Sequence, residues 1–400
     1  MSKVLWVSAS VPYDKIAHAG GKTHNYYLKY LKKNSKHEIK LVTFFRENEL
    51  DKIDLDKYKI DAVLLKRCIW GITRTIYNLE SFFNPFNRYA GINQNYTVYQ
   101  LKKALLKVKD EGFVPNIIIL QWTEMFVLID IVKDIFSNAK IIGAEEDVKF
   151  LNFERVYKST NNRIVKWIKK IKYDRLKQIE LAACHKADKV IVTNVKDYNL
   201  LKENNIAAGK LFIWPPYFES RSDNIYNGNT KNIIFYGAMG REENWKSAVW
   251  FINNVFCKLK DKSMSFLVIG ANPAPQLLRY SSERVKILGF VEDVGVYFQE
   301  GLCMVAPLLL GAGIKVKILE SMSAGIPVLT NEIGIEGIPA EDGREYLMCR
   351  EAEEYIEAIY MLAENSERRD ELSRNAKKFM KEQYDLKKGA DNFIQLLNEV

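Results

Sequence analysis

Cysteine is scarce and scattered. The 400 residues hold five, Cys68, Cys184, Cys257, Cys303 and Cys349, odd in number and without paired spacing. Such usage argues against a disulfide framework and against a zinc site, and it points to a reducing, cytoplasmic setting. Also missing is any apolar run near the roughly 20 residues that cross a bilayer; even Phe126–Val132 is broken by Asp130. The opening Val4–Val7 run is soon interrupted by Ser8, Ser10 and Pro12, so a buried strand is expected there rather than a secretory signal. No zinc-finger spacing, aromatic RNA-binding signature or glycine clamp occurs, which argues against a nucleic-acid-binding module. The charge nevertheless calls for an anionic partner: Lys and Arg outnumber Asp and Glu by 59 to 50, a net +9. A nucleotide, a lipid diphosphate and an acidic membrane surface all fit.

Hydrophobic residues make up 48% and charged residues 27%, as in a globular protein, and the length exceeds what one core usually supports. Short β-branched and aromatic runs alternate with helical stretches, which predicts parallel sheets covered on both faces. In the first half the strands expected are 4–7, 39–44, 116–120, 140–142 and 189–192. A polar, turn-rich stretch at 214–231 reads as a linker. The second half repeats the alternation, with strands at 232–236, 265–269, 285–288, 302–306 and 328–330. This organisation predicts an N-terminal Rossmann-like domain over 1–213 and a second over 232–380. A last helix over 381–400 is expected to cross back onto the first domain. Ligands of such sheets bind outside the carboxyl ends of the strands, so the active site is expected in the cleft that the two domains face.

The most informative stretch runs from Leu309 to Thr330. Gly311 and Gly313 sit directly before a helical segment beginning near 313, where backbone N–H groups can face an anion. Ile314, Lys315 and Lys317 follow, the lysines adding positive charge. Glu320, expected about two turns into the helix, can accept two hydrogen bonds from a ribose diol. A plain turn and a wet helix face is the competing reading. Gly20 and Gly21, after the first strand and before a helix over 25–31, read either as a ligand-approach loop or as a simple loop. Glu146 and Asp147 follow the strand 140–142. They read either as cleft-facing carboxylates able to move a proton or as a helix-capping cluster with Asp147 as the cap. Asp54-Leu-Asp56 lies in a charged segment and reads as solvated, so no metal is expected.

The stretch Gly-Ala-Gly-Ile-Lys-Val-Lys-Ile-Leu-Glu at 311–320, with Gly334-Ile-Glu-Gly337 after it, resembles the donor-site signature of family-4 retaining glycosyltransferases, the glycosyl transferases group 1. Phe235–Gly240, Asn244, Phe266–Gly270 and Gly289–Asp293 extend the resemblance across most of 232–340. It implies a GT-B fold and a metal-independent transfer, of hexosyltransferase type, from a nucleotide-diphosphate sugar, UDP- rather than GDP-linked. The nucleotide sugar is then a substrate and no cofactor is implied. By the same resemblance Gly289, Phe290 and Val291 lie beside the base, and Glu320 grips the ribose. The glycine loop at Gly20 and Gly21 approaches the donor, and Glu146 occupies a position usually held by His. Two departures stand out. Ala312 stands where the family usually has a sugar-binding Glu, and after Gly237 the usual Arg and Lys are Ala238 and Glu243. Lys315 or Lys317 is the expected substitute for that charge, with Arg241 or Lys246 the alternative. Front-face attack assisted by the departing diphosphate is implied, not the paired carboxylates of glycosidases.

A glycan or lipid-linked acceptor in cell-surface polysaccharide synthesis is the expected context. The alternatives are an epimerase of the same fold and a non-catalytic sugar-binding partner of another transferase. Aromatic residues over 77–99 (Tyr77, Phe82, Phe83, Phe86, Tyr89, Tyr96, Tyr99) read as an insertion or an acceptor contact. Residues 163–177 carry seven basic side chains and one acidic. As a helix they read either as an interfacial segment on an anionic membrane, with Trp167 beside Ile164, Ile168 and Ile171, or as a helix packed on the sheet.

Overall fold

A computed structural model describes residues 2–16, 18–67, 89–311 and 313–400. The chain forms two compact units, one of Met1–Tyr217 with Lys387–Val400 and one of Phe218–Leu386. Among the described residues the first carries seven parallel strands: β1 (Lys3–Ser8), β2 (Glu38–Phe45), β3 (Asp61–Lys66), β4 (Ile117–Gln121), β5 (Lys140–Glu145), β6 (Lys189–Val192) and β7 (Leu211–Ile213). Their order is β3-β2-β1-β4-β5-β6-β7, so the sheet reverses direction between β1 and β4. The second unit carries β8 (Asn232–Tyr236), β9 (Ser265–Ile269), β10 (Val285–Gly289), β11 (Cys303–Ala306), β12 (Val328–Thr330) and β13 (Leu347–Met348). Its order is β10-β9-β8-β11-β12-β13, and it reverses between β8 and β11. Each unit is thus doubly wound, and the loops leaving the carboxyl ends of its central strands form the natural binding crevice.

Helices cover both faces of each sheet, and Val4, Trp6, Ile233 and Phe235 are fully buried on their strands. Strands β3, β7 and β13 were not expected. β3 is a half-exposed edge strand whose six residues begin and end on charge, and β13 is only two residues long. Neither offers the continuous apolar run that marks a buried strand.

The stretch 214–231 is not a free connector. Trp214 is buried in the first unit, stacked on Tyr27 with centroids 4.2 Å apart. From Phe218 onward the chain is tied to the second unit: Arg221 pairs with Asp293, and Asn224 Nδ2 donates to the Gly295 carbonyl. Its polar residues are hydrogen-bonding partners for the helix Gly295–Glu300, which composition alone does not reveal. The final helix, Leu386–Glu399, buries Phe393, Leu396 and Leu397 in the same cluster as Trp6, Tyr27 and Trp214. The return to the first unit begins at Lys387 instead of 381, because Phe379, Met380 and Tyr384 are buried in the second unit's core.

Candidate functional site

In the second unit, three adjacent strands end on glycines with positive φ: Gly237 at 155°, Gly270 at 148° and Gly289 at 69°. They are laced together, the Gly237 N–H donating to the Ile269 carbonyl at 3.0 Å and the Gly270 N–H to the Gly289 carbonyl at 2.7 Å. A Cβ at Gly270 would lie 1.6 Å from the Gly237 carbonyl oxygen, so no other residue fits there. Gly270→Ala is therefore expected to destabilise the second unit by at least about 3 kcal/mol, through a backbone clash added to left-handed strain; chemical denaturation measures it. After Gly289 the Phe290 ring projects into solvent, 75% exposed, while Val291 is half-buried.

The glycine-helix motif differs from the bare-amide cradle expected. The helix spans Val316–Ala324 with Lys315 at its N-cap, so Gly311 (φ 145°) and Gly313 (φ 67°) lie in the loop before it. Glu320 falls little more than one turn in. Lys315 folds back over this loop and its Nζ donates to the Gly313 carbonyl at 2.5 Å, with Glu336 at 4.0 Å. A Cβ on Gly311 would meet the Lys315 Cε at 2.9 Å, so glycine here makes room for a cationic arm. Ile314 is half-buried against the core. Ala312 lies outside the described residues.

Lys317 reaches from the first turn of this helix to the end of β8. Its Nζ donates to Asn244 Oδ1 at 2.5 Å and would lie 3.0 Å from a Cβ on Gly237. Among the described residues no carboxylate pairs with it. Burial, with Lys315 nearby, pulls its pKa down to about 7. Arg241 and Lys246 do not share this position. Arg241 is exposed and paired with Glu243, and Lys246 is paired with Glu242.

Glu320 is 3% exposed and meets two donors of its own unit. The Glu219 N–H reaches its Oε1 at 3.4 Å, and the Tyr236 hydroxyl at the end of β8 donates to its carboxylate. Burial first, then Glu320, raises the Tyr236 pKa, which keeps that hydroxyl protonated.

In the first unit, Gly20 and Gly21 are not in a loop. They occupy the first turn of a helix over Ala19–Asn34, capped by His18, whose Nδ1 accepts from the Gly21 N–H at 2.9 Å. The start falls at 19 and not at the 25 expected, because a histidine cap is an uncommon signal. A Cβ on Gly20 would lie 3.1 Å from Trp122 Nε1 and 3.4 Å from Glu146 Cδ, so this bare turn brings Trp122 and Glu146 together. Glu146 Oε1 accepts from Gln121 Nε2 at 2.7 Å, and burial, with Asp147 beside it, raises its pKa to about 8. Asp147 is exposed and caps no helix: the following helix, Lys149–Lys158, has Val148 at its cap. Its amides at Lys149 and Phe150 are taken instead by Glu180, a buried carboxylate from another helix, at 2.7 and 2.9 Å.

Reasoning from sequence missed Trp122, Glu145 and Glu180. Glu145, buried and bonded to the Thr123 hydroxyl, is held protonated by burial and by Glu180. The strand expected over 140–142 runs on to Glu145, whose side chain is buried in the core. His24 is fully buried, and burial pulls its pKa down to about 3, which removes it as a base near neutral pH. Asp54 is not simply solvated, since it pairs with Lys29 at 3.1 Å. Tyr89 is buried and Tyr96 and Tyr99 are exposed; Tyr77, Phe82, Phe83, Phe86 and Cys68 lie outside the described residues.

Residues 230–365 match the family model of the glycosyl transferases group 1. An uncharacterised 44.6 kDa protein in the cps region of Klebsiella pneumoniae is 25% identical over 168 residues, 39% of this chain and 43% of that protein. The trehalose synthase of Thermococcus litoralis is 23% identical over 177 residues, 40% of this chain and 43% of the relative. The matches thus span less than half of these curated relatives. Among solved structures, HepE of Anabaena in complex with UDP superposes with a TM-score of 0.69 at 13% identity, covering 100% of both chains. The sucrose-phosphate synthase of Thermosynechococcus elongatus superposes with a TM-score of 0.72 at 14% identity, covering 100% of this chain and 99% of the other. The second unit is thus similar to the glycosyl transferases group 1 over residues 230–365, and the chain, with its two doubly wound sheets, has the GT-B fold.

Proposed function

We propose that this chain is a retaining glycosyltransferase that takes a hexose from a UDP-sugar and passes it to a glycan or lipid-linked acceptor. The observation that carries the reading is Lys317, a half-buried cation with no carboxylate partner among the described residues, set beside the Gly237 strand end. Such a charge is stable in that place only when an anion neutralises it. A nucleotide diphosphate at the strand ends supplies that anion. Glu320 then holds the ribose, and Gly289, Phe290 and Val291 receive the base, with the exposed Phe290 ring as its stacking surface. Lys315, lying over the glycine loop, is the second cation. The complexes of HepE with UDP and with UDP-glucose support a nucleotide sugar as donor.

In this reading the bond from the anomeric carbon to the β-phosphate oxygen breaks as the acceptor oxygen attacks from the same face. The acceptor proton passes to the departing diphosphate. Lys317 stabilises the charge that develops there, the term that usually contributes most. No metal is needed, so chelation is expected to leave UDP binding unchanged. The test is incubation with UDP-glucose and UDP-galactose, with and without acceptor glycans, following UDP release and product. Epimer formation without UDP release would overturn the reading.

In the same reading Glu146, in the first unit, is the group that hydrogen-bonds the acceptor hydroxyl. Its carboxyl is protonated below about pH 8, so it donates near neutrality and becomes an acceptor above. The rate is expected to change through about pH 8, and Glu146→Gln, which fixes the neutral form, is expected to flatten the pH–rate profile.

An anionic membrane surface is the second partner proposed. The helix Arg163–Lys186 leaves Ile164 72% and Trp167 59% exposed among Arg163, Lys166 and Lys170. Packing on the sheet does not describe these first turns. Sedimentation with anionic liposomes at low salt is expected for the wild type and lost in Trp167→Ser; equal recovery with neutral liposomes would contradict it. No described helix is long and apolar enough to cross a membrane.

A further inference from the structure

The first unit contains a cavity of about 260 Å³ that the donor reading does not use, close to the size of small ligand sites. It opens at the carboxyl ends of β1, β2 and β4, and its walls include Ser10, His18, Arg46, Arg67 and Trp122. Arg67 stands over the Phe44 ring, its Cζ 5.9 Å from the centroid, and Nη2 donates to the Ala9 carbonyl at 2.5 Å. Arg46 is exposed, and no described carboxylate forms an ion pair with its guanidinium. Two lining carboxylates are already engaged: Glu124 pairs with Lys149, and Glu49 accepts the Arg46 backbone N–H at 2.7 Å. The wall thus presents two guanidinium groups beside two carboxylates that are both engaged elsewhere.

Trp122 forms another wall, and its backbone is strained. It has φ 68° and ψ 150°, a region bulky residues avoid. The strain is held by the Trp122 N–H donating to the Ala144 carbonyl at 2.8 Å and by the Phe126 N–H donating to the Trp122 carbonyl at 3.0 Å. Such outliers gather at ligand clamps. Through Gly20, Trp122 also adjoins Glu146.

An indole packs against the C–H face of a pyranose, and guanidinium forks match the planar oxygens of a carboxylate or phosphate. The geometry points to an acceptor sugar that carries an anionic group: its ring on Trp122, its acid between Arg46 and Arg67, and its reacting hydroxyl toward Glu146. The inference rests on the reading that the first unit takes the acceptor, and it adds the acceptor's charge.

The experiment is a ligand-observed NMR titration of the full chain with methyl glucuronide, glucose 6-phosphate and neutral methyl glucoside. At least one acidic sugar is expected to bind roughly tenfold more tightly than the glucoside, and the arm that does identifies carboxylate or phosphate. Arg46→Ala with Arg67→Gln is expected to abolish that preference. Arg46→Ala alone, an exposed substitution that spares the fold, is expected to reduce it. Trp122→Gly, which suits the positive φ, is expected to weaken all three sugars alike. Equal binding of the three, no binding, or a preference that survives the arginine substitutions overturns the inference. UDP binding, followed by thermal shift on the same samples, keeps the two readings apart. Its absence sinks the donor assignment, whereas its presence beside charge-blind sugar binding sinks only this one.

Discussion

Lys317→Met is expected to weaken UDP binding by about 10- to 100-fold, the loss of one charge-assisted hydrogen bond to phosphate. Turnover is expected to fall by roughly 10³, because the leaving diphosphate gains charge in the transition state. The pH dependence gives an independent signature. In the free protein Lys317 titrates near 7, so above that pH UDP must bring a proton with it. Affinity is then expected to fall by up to about tenfold per pH unit above 7 in the wild type, and to lose that slope in the Met variant. Stability moves the other way. An unfolded lysine titrates at about 10.4, so between that value and 7 the unfolded chain binds more protons than the folded one. Ligand-free stability is therefore expected to rise with pH across that window, the cost of the buried charge being fully present below 7. Met carries no such cost, so the variant is expected to melt higher than the wild type near pH 6 while binding UDP worse. A lysine of purely structural value would give the opposite pairing.

Glu320→Gln carries the second large effect. A carboxylate accepting from both ribose hydroxyls contributes about 1.5–3 kcal/mol, so UDP affinity is expected to fall by roughly tenfold or more. The amide side chain retains the volume and an acceptor for the Glu219 N–H and the Tyr236 hydroxyl, which makes it a better probe than Ala. Truncation to Ala would leave that buried hydroxyl without its partner and mix a folding cost into the result. The sugar contact is isolated by comparing UDP with 2′-deoxy-UDP. The wild type is expected to prefer UDP, and the Gln variant to lose most of the preference. Equal discrimination by both proteins would remove Glu320 from the ribose.

Much of the fold was legible because parallel strands buried on both faces are continuous apolar runs. Asn232–Tyr236, Ser265–Ile269 and Val328–Thr330 were read with the boundaries they have. The edges were not, since Asp61–Lys66 is half in water and carries charges at both ends. In the site, the motif at 311–320 stood out by glycine spacing. Which of its two lysines meets the strand end was set by packing: Lys315 turns back on Gly313 and Lys317 crosses to Gly237. Trp122 left no local signal, because its unusual backbone is tied by its N–H to the Ala144 carbonyl on the neighbouring strand β5, a partner distant in sequence. Gly20 and Gly21 misled for a related reason. A glycine pair reads as a loop until something shows that Trp122 and Glu146 need the space left by an absent side chain.

The measurement that tests the central claim most directly is a crystal structure of the protein with UDP. The account requires the diphosphate within hydrogen-bond reach of Lys317 Nζ beside Gly237, with the ribose hydroxyls on Glu320. A nucleotide bound elsewhere, with Lys317 still donating to Asn244 and Glu320 still closed by Tyr236, would contradict it.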